Sequence, residues 1–192
     1  MCTFVASEIK KDIDMKTIQI KDKRFTPYIS EESIRQRVKE VATHISTDLR
    51  EKHPLFLVIL NGSFIFAADL LRELNFPCEI TFVRVSSYEG TSTTGQVKQL
   101  IGLKEDVKGR TIVIVEDIIE SGYTMQEMLR ILADQQPEEV RICSLFVKPA
   151  CMKVPIDIHY RCFDIEDDFI VGYGLDYNQG GRNLPSIYQV IE

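Results

Sequence analysis

Three observations predict an α/β fold built on a central parallel sheet. Three short apolar runs stand out: LFLVIL at 55–60, TIVIVEDI at 111–118 and EVRICSLFV at 139–147. Runs that are apolar on both faces suit parallel strands covered on both sides. Two segments of helical character, SFIFAADLLRELN and TMQEMLRILADQQ, lie between the runs, giving the alternation of an open α/β sheet. The length, 192 residues, fits one domain, residues 1–192, and no linker or repeat divides it. A chain of this size buries roughly 70% of its unfolded surface and needs no disulfide or metal staple. Ligands of open α/β sheets bind beyond the carboxyl ends of the strands, so the residues just after each run are where chemistry is expected.

Each element has its own signal. Ser30 stands where a helix can be capped, and Ile34, Val38, Val41, Ala42, Ile45 and Leu49 then recur at steps of three and four. The run at 55–60 ends on Asn61-Gly62, a turn signal, before the first helix between strands. Between Ser86 and Lys108 the chain turns polar, with Gly90 and Gly95 and no helical period, which predicts a hairpin or a mobile loop. IDIHYRCF and DFIVGYG read as further strands lying outside the main sheet.

Composition narrows the function. Hydrophobic residues make up 44% and charged residues 27%, as in soluble globular proteins. The formal net charge of −6 argues against non-specific nucleic-acid binding, which depends on clustered positive charge. No apolar run approaches the roughly 20 residues of a membrane helix, and no secretory signal is expected at MCTFVASEIKKDID. Five cysteines, an odd number without a C-x-x-C spacing, argue against a disulfide framework and against zinc and point to the cytoplasm. His44, His53 and His159 show no ligand spacing.

The segment VIVEDIIESGYTM, 113–125, carries the chemistry. A strand delivers two adjacent carboxylates, Glu116 and Asp117, and Glu120-Ser121-Gly122-Tyr123-Thr124 follows before a helix. Small and hydroxyl residues at a helix N-terminus surround a phosphate with backbone N–H groups and hydroxyls. On a regular strand adjacent side chains point oppositely, so both carboxylates reach one ribose if the strand ends between them.

This segment resembles the phosphoribosyl-pyrophosphate motif of type I phosphoribosyltransferases, closest to the hypoxanthine-guanine branch with its V-E-D-I-I-D-[ST]-G-x-T form. Four further segments resemble that family in its order: LNGSFIF at 60–66, SSYEGTSTTGQVK from Ser86, LFVKP at 145–149, and FIVGYGLDYNQGGRNLPSIYQV at 169–190. The resemblance implies a central sheet flanked by helices, with a small hood formed by N- and C-terminal segments. It implies transfer of a phosphoribosyl group from phosphoribosyl pyrophosphate to a 6-oxopurine, with magnesium, in a homo-oligomer, dimer or tetramer.

Residue by residue, the resemblance implies that Glu116 and Asp117 hold the ribose hydroxyls, partly through magnesium, and that Glu120 to Thr124 cradle the 5′-phosphate. Lys148 would donate to the six-oxo group, Phe169 would stack on the base, and the Ile170 backbone would bond its edge. Asp176 would help hold magnesium in the purine subsite. Arg182 and the loop Asn61, Gly62 and Ser63 would receive pyrophosphate, and Ser87 and Tyr88 would close over the centre. Glu120, the expected base, stands where the family usually has Asp. Asn61 stands where it often has Lys, which removes one positive charge, and Tyr123 where some members have Lys. A nucleotide-sensing regulator using the same pocket is the alternative; the net charge and the presence of Lys148, Asp176 and Arg182 speak against it.

Overall fold

The computed structural model describes residues 16–87 and 97–191. Its main sheet has six strands: β3 (Leu55–Leu60), β4 (Glu79–Ser87), β5 (Val97–Ile101), β6 (Thr111–Ile119), β7 (Glu139–Val147) and β8 (Tyr160–Asp164). Their spatial order is β5-β4-β3-β6-β7-β8. Five strands are parallel, and β5 closes one edge as the antiparallel partner of β4.

Three helices cover this sheet. Helix α1 (Glu31–Leu49) is capped by Ser30, whose side chain accepts from the Ser33 N–H at 3.1 Å. All six apolar positions predicted for its inner face are buried. Helices α1 and α2 (Phe64–Glu73) pack over Phe56, Val58, Val113 and Val115 on one face. Helix α3 (Tyr123–Ala133) buries Met125, Met128 and Leu132 against Leu57, Ile112 and Ile114 on the other. The alternation of side chains along β3 and β6 thus feeds two cores, which explains why these strands are apolar at every position.

From β3 the chain passes through α2 to β4 on one side, and later adds β6 on the other side of β3. The loops after β3 and β6 therefore leave the sheet toward opposite faces and open a crevice between them, the switch point at which open α/β sheets bind ligands. The loop after β3 is Asn61–Ser63, and the loop after β6 begins at Glu120.

A second, antiparallel sheet joins the chain's two ends. Strands β1 (Ile18–Ile20), β2 (Lys23–Ile29), β10 (Ile187–Val190) and β9 (Ile170–Val171) lie in that order. Its own core is small, centred on Phe25, Val171 and Tyr188. Bonds to the main body hold it: the Glu31 N–H donates to Ser186 Oγ at 3.1 Å, and the Tyr173 hydroxyl donates to Asp69 Oδ2 at 2.7 Å.

Two sequence readings are corrected here. IDIHYRCF supplies β8, which belongs to the main sheet as the parallel partner of β7; only DFIVGYG contributes to the second sheet, through β9. The strand β6 does not end between Glu116 and Asp117 but continues to Ile119, and its register with β7 skips Asp117. The polar segment after Ser86 begins as a hairpin, Ser87 pairing with Val97; Tyr88 lies outside the described residues.

Candidate active site

A pocket of about 250 Å³ opens at the end of β6, lined by residues 116–122 with Thr124 and Met125. Its rim is the loop 120–124, which enters α3 through Gly122 at φ +85°. Backbone bonds fix the loop: Lys148 N–H donates to Ile119 O at 2.9 Å, and Lys153 N–H and Val154 N–H donate to Ser121 O at 3.0 and 3.4 Å. Thr124 and Tyr123 are exposed. The Tyr123 N–H donates to Ser121 Oγ at 3.5 Å, and the N-terminal turn of a helix following such a loop is suited to an anion.

The acid pair lies at the pocket floor. Glu116 is buried at 8% exposure, and its Oε1 accepts from the Asp117 N–H at 3.1 Å. Burial pushes the Glu116 carboxyl well above its usual range, and the Asp117 charge adds to the effect. Asp117 Oδ1 accepts from the Ile118 N–H at 2.8 Å. The other oxygen, Oδ2, faces Gly62, where a Cβ would overlap it. Glycine at 62 is therefore what lets the loop after β3 close onto the acid of β6. Two carboxylates with backbone donors alone suit hydroxyl groups or a divalent cation.

Lys148 and Glu120 meet beside the loop 120–124. Lys148 follows β7 and is buried at 5% exposure, so it is not an ordinary surface lysine. Its Nζ lies 2.6 Å from Glu120 Oε1 and 3.3 Å from Asp167 Oδ1. Burial lowers the basicity of this ammonium, but the Glu120 and Asp167 carboxylates outweigh that and leave it above its ordinary value. Lys148 is thus a fixed cation held beside Glu120, which lines the pocket. Asp167 was not foreseen; it sits in the acidic stretch Glu166-Asp167-Asp168, which by itself carries no sign of a partner.

The remaining predicted residues fall into two groups. Arg182 Nη2 pairs with Asp176 Oδ1 at 2.5 Å, and Arg182 Nη1 donates to Gly174 O at 2.7 Å. Asp176 Oδ2 also accepts from the Gln179 N–H at 2.7 Å. Gly174, at φ +104°, packs on the Gly62 backbone so closely that a Cβ would overlap Gly62 O. A stack therefore runs from Arg182 through Gly174 and Gly62 to Asp117. Ser63 is buried, and its hydroxyl bonds Ile59 O, leaving its backbone as the group available to a ligand.

Phe169 is 46% exposed, which excludes a purely core role. It lies 5.8 Å from Tyr177, edge to face, and 6.4 Å from Phe25. Ile170 is buried in β9, the outer strand of the second sheet. Asn61 and Arg84 are exposed and hydrogen-bonded to each other at 2.8 Å. Ser87 ends β4, and its side chain is not among those described.

Comparison with known proteins gives the family. The sequence profile of the phosphoribosyl transferase domain matches residues 29–178. The hypoxanthine phosphoribosyltransferase of Salmonella typhimurium is 40% identical over 166 residues, covering 85% of this chain and 93% of that protein. A crystal structure of a hypoxanthine-guanine phosphoribosyltransferase from Bacillus anthracis is 38% identical, with a TM-score of 0.81 over 87% of this chain and 97% of that one. The structure of the Trypanosoma cruzi hypoxanthine phosphoribosyl transferase is 31% identical, with a TM-score of 0.82 over 91% of this chain and 95% of that one. With the profile spanning both loops of the crevice and the likeness extending over most of the chain, the protein belongs to the phosphoribosyltransferase family.

Proposed function

We propose that the protein transfers the phosphoribosyl group of phosphoribosyl pyrophosphate to a 6-oxopurine, hypoxanthine or guanine, in purine salvage. The observation that carries this reading is the Glu120–Lys148 pair, 2.6 Å apart at the rim of the pocket. A 6-oxopurine presents an oxygen acceptor and a ring nitrogen side by side on one edge. Lys148 would donate to the oxygen, and Glu120, released from the ammonium, would face the nitrogen.

In the reaction a ring nitrogen of the purine bonds the anomeric carbon, and the bond from that carbon to pyrophosphate breaks. The proton lost from the purine passes to Glu120 as general base. Positive charge grows on the sugar and negative charge on the leaving group. Glu116 and Asp117 serve the ribose hydroxyls; residues 120–124 hold the 5′-phosphate; Phe169 stacks on the base, and the Ile170 backbone bonds its edge. Asn61, Gly62, Ser63 and Arg182 receive pyrophosphate, and Ser87 and Tyr88 cover the centre.

Magnesium fits the acid pair, because buried Glu116 and half-buried Asp117 have no cationic side chain beside them among the described residues. It would supply positive charge to the sugar hydroxyls and the leaving group. Asp176 is engaged by Arg182 and Gln179, so its part in holding magnesium or the purine requires that contact to exchange.

Residues 1–192 act as one phosphoribosyltransferase domain in this reading, with the second sheet as its hood. A homo-oligomer, dimer or tetramer, is proposed, and it accords with the exposed apolar side chains Ile80 and Phe82 on one face of β4. The cytoplasm is the proposed compartment, since a multiply phosphorylated substrate does not cross a membrane unaided. Incubation with phosphoribosyl pyrophosphate, magnesium and hypoxanthine, guanine or xanthine in turn, followed by absorbance, tests the reading. Formation of a nucleoside monophosphate from at least one 6-oxopurine is expected; no product with any of the three overturns it.

A further inference from the structure

The pyrophosphate loop carries no cation of its own. Position 61 is an amide, Gly62 and Ser63 offer only backbone donors, and the Arg182 guanidinium is held by Asp176 and the Gly174 carbonyl. A leaving group with several negative charges nevertheless needs positive charge that is in place before the bond breaks.

Arg84 is the side chain positioned to provide it. Its Cα is the register partner of Leu60, the residue just before the loop, across the parallel β3–β4 pair. Its Nη2 donates to Asn61 Oδ1 at 2.8 Å. The contact holds the guanidinium against the loop through one of its five N–H donors, and among the described residues no carboxylate engages the others. Among the described residues Arg84 meets no carboxylate within ion-pair distance, whereas Arg182 does. Anchoring to a neutral amide does not neutralise the Arg84 charge, and a planar guanidinium matches phosphate oxygens in pairs.

We propose that Arg84, oriented by Asn61, is a pyrophosphate-binding residue that supplies the loop's positive charge from the neighbouring strand. This rests on the phosphoribosyl-transfer reading of the same site and adds to it the residue that recognises the leaving group.

The test measures binding of inorganic pyrophosphate and, separately, of inosine monophosphate, each in magnesium buffer, by titration calorimetry on the full chain. Arg84→Gln is expected to weaken pyrophosphate about 10- to 100-fold, the range of one hydrogen bond to a charged group, with inosine monophosphate binding unchanged. Arg84→Lys should retain part of the affinity. Asn61→Lys placed in the Arg84→Gln background should restore most of it, because the charge returns from the other side of the same contact. Unchanged pyrophosphate binding in Arg84→Gln overturns the proposal. So does an equal loss for both ligands, which would make Arg84 a structural residue, and so does a failure of Asn61→Lys to restore binding. If the wild-type protein binds neither ligand, the phosphoribosyl-transfer reading itself fails, an outcome distinct from the other three.

Discussion

Glu120 and Lys148 stand 2.6 Å apart, and the proposed reaction uses both. In the proposed reaction a 6-oxopurine entering between them would take the ammonium for its oxygen and leave the carboxylate facing the ring nitrogen. Glu120→Gln keeps the shape and removes the charge. Turnover should fall by about 10²- to 10⁴-fold, the usual size of a general-base contribution, while affinity for phosphoribosyl pyrophosphate stays near wild type. Steady-state kinetics with both substrates varied decides this, and unchanged turnover would remove Glu120 from the mechanism. Lys148 makes a second expectation. It is buried and held by Glu120 and Asp167, so it cannot turn away from a mismatched group. Adenine presents an amino donor where a 6-oxopurine presents an acceptor. A buried donor left facing another donor is expected to reject adenine by about 10⁴-fold in kcat/KM. Comparable use of adenine and hypoxanthine would show that Lys148 does not read the base.

Among the elements, α1 shows how packing and capping divide the stabilisation. Ile34, Ile45 and Leu49 are fully buried, and each contributes about 1.5–3 kcal/mol. The Ser30 cap satisfies one N–H of the first turn and contributes less, about 1 kcal/mol. Ser30→Ala should lower stability by about that amount without moving the helix, as measured by urea unfolding; a loss several times larger would mean that Ser30 also holds the second sheet through the α1 entry. This helix was legible in the sequence because a buried face leaves a regular period. The strands β3, β6 and β7 were legible because helices cover both of their faces. Strand β4 was not recognised: Ile80 and Phe82 on its open side are exposed, Thr81 on its inner side is buried, and polarity no longer reports burial. The phosphate loop was readable because one contiguous segment contains all of it. Asp167, Gly174 and Arg84 were not, because each acts on a residue brought to it only by folding: Lys148, Gly62 and Asn61 respectively. The exposed Phe169 and buried Lys148 reverse what residue type alone suggests.

At the scale of the whole molecule, the crevice is assembled from two sheets that share part of one core, since Ile29, Ile170 and Ile187 of the second sheet pack in the cluster that covers Val58 and Val113 of the main sheet. The main sheet contributes the phosphate loop, the acid pair and Gly62, while the chain between β9 and β10 contributes Gly174, Asp176 and Arg182. The two halves meet where Gly174 rests on Gly62, which in turn rests against Asp117. Gly174 stands at φ +104°, a conformation that a side chain strains, and a Cβ there would overlap the Gly62 carbonyl. Backbone lies on both sides of this contact, so no side chain can rotate to relieve it. Gly174→Ala should therefore separate the second sheet from the loop after β3. Strain of this kind costs about 1–3 kcal/mol, enough to lower the thermal midpoint measurably. The effect on function should be selective. Arg182 depends on the Gly174 carbonyl for its position, and Gly62 depends on the stack, so the Michaelis constant for phosphoribosyl pyrophosphate and the affinity for pyrophosphate should both worsen. The loop 120–124 is held by Lys148 and Lys153 backbone bonds that do not involve Gly174, so binding of inorganic phosphate should survive. Calorimetric titration of the variant with pyrophosphate and with phosphate separates these effects. Loss of pyrophosphate binding with phosphate binding kept is expected. Equal loss of both would show that the two sheets act as one rigid body in which the Gly174–Gly62 contact has no local role.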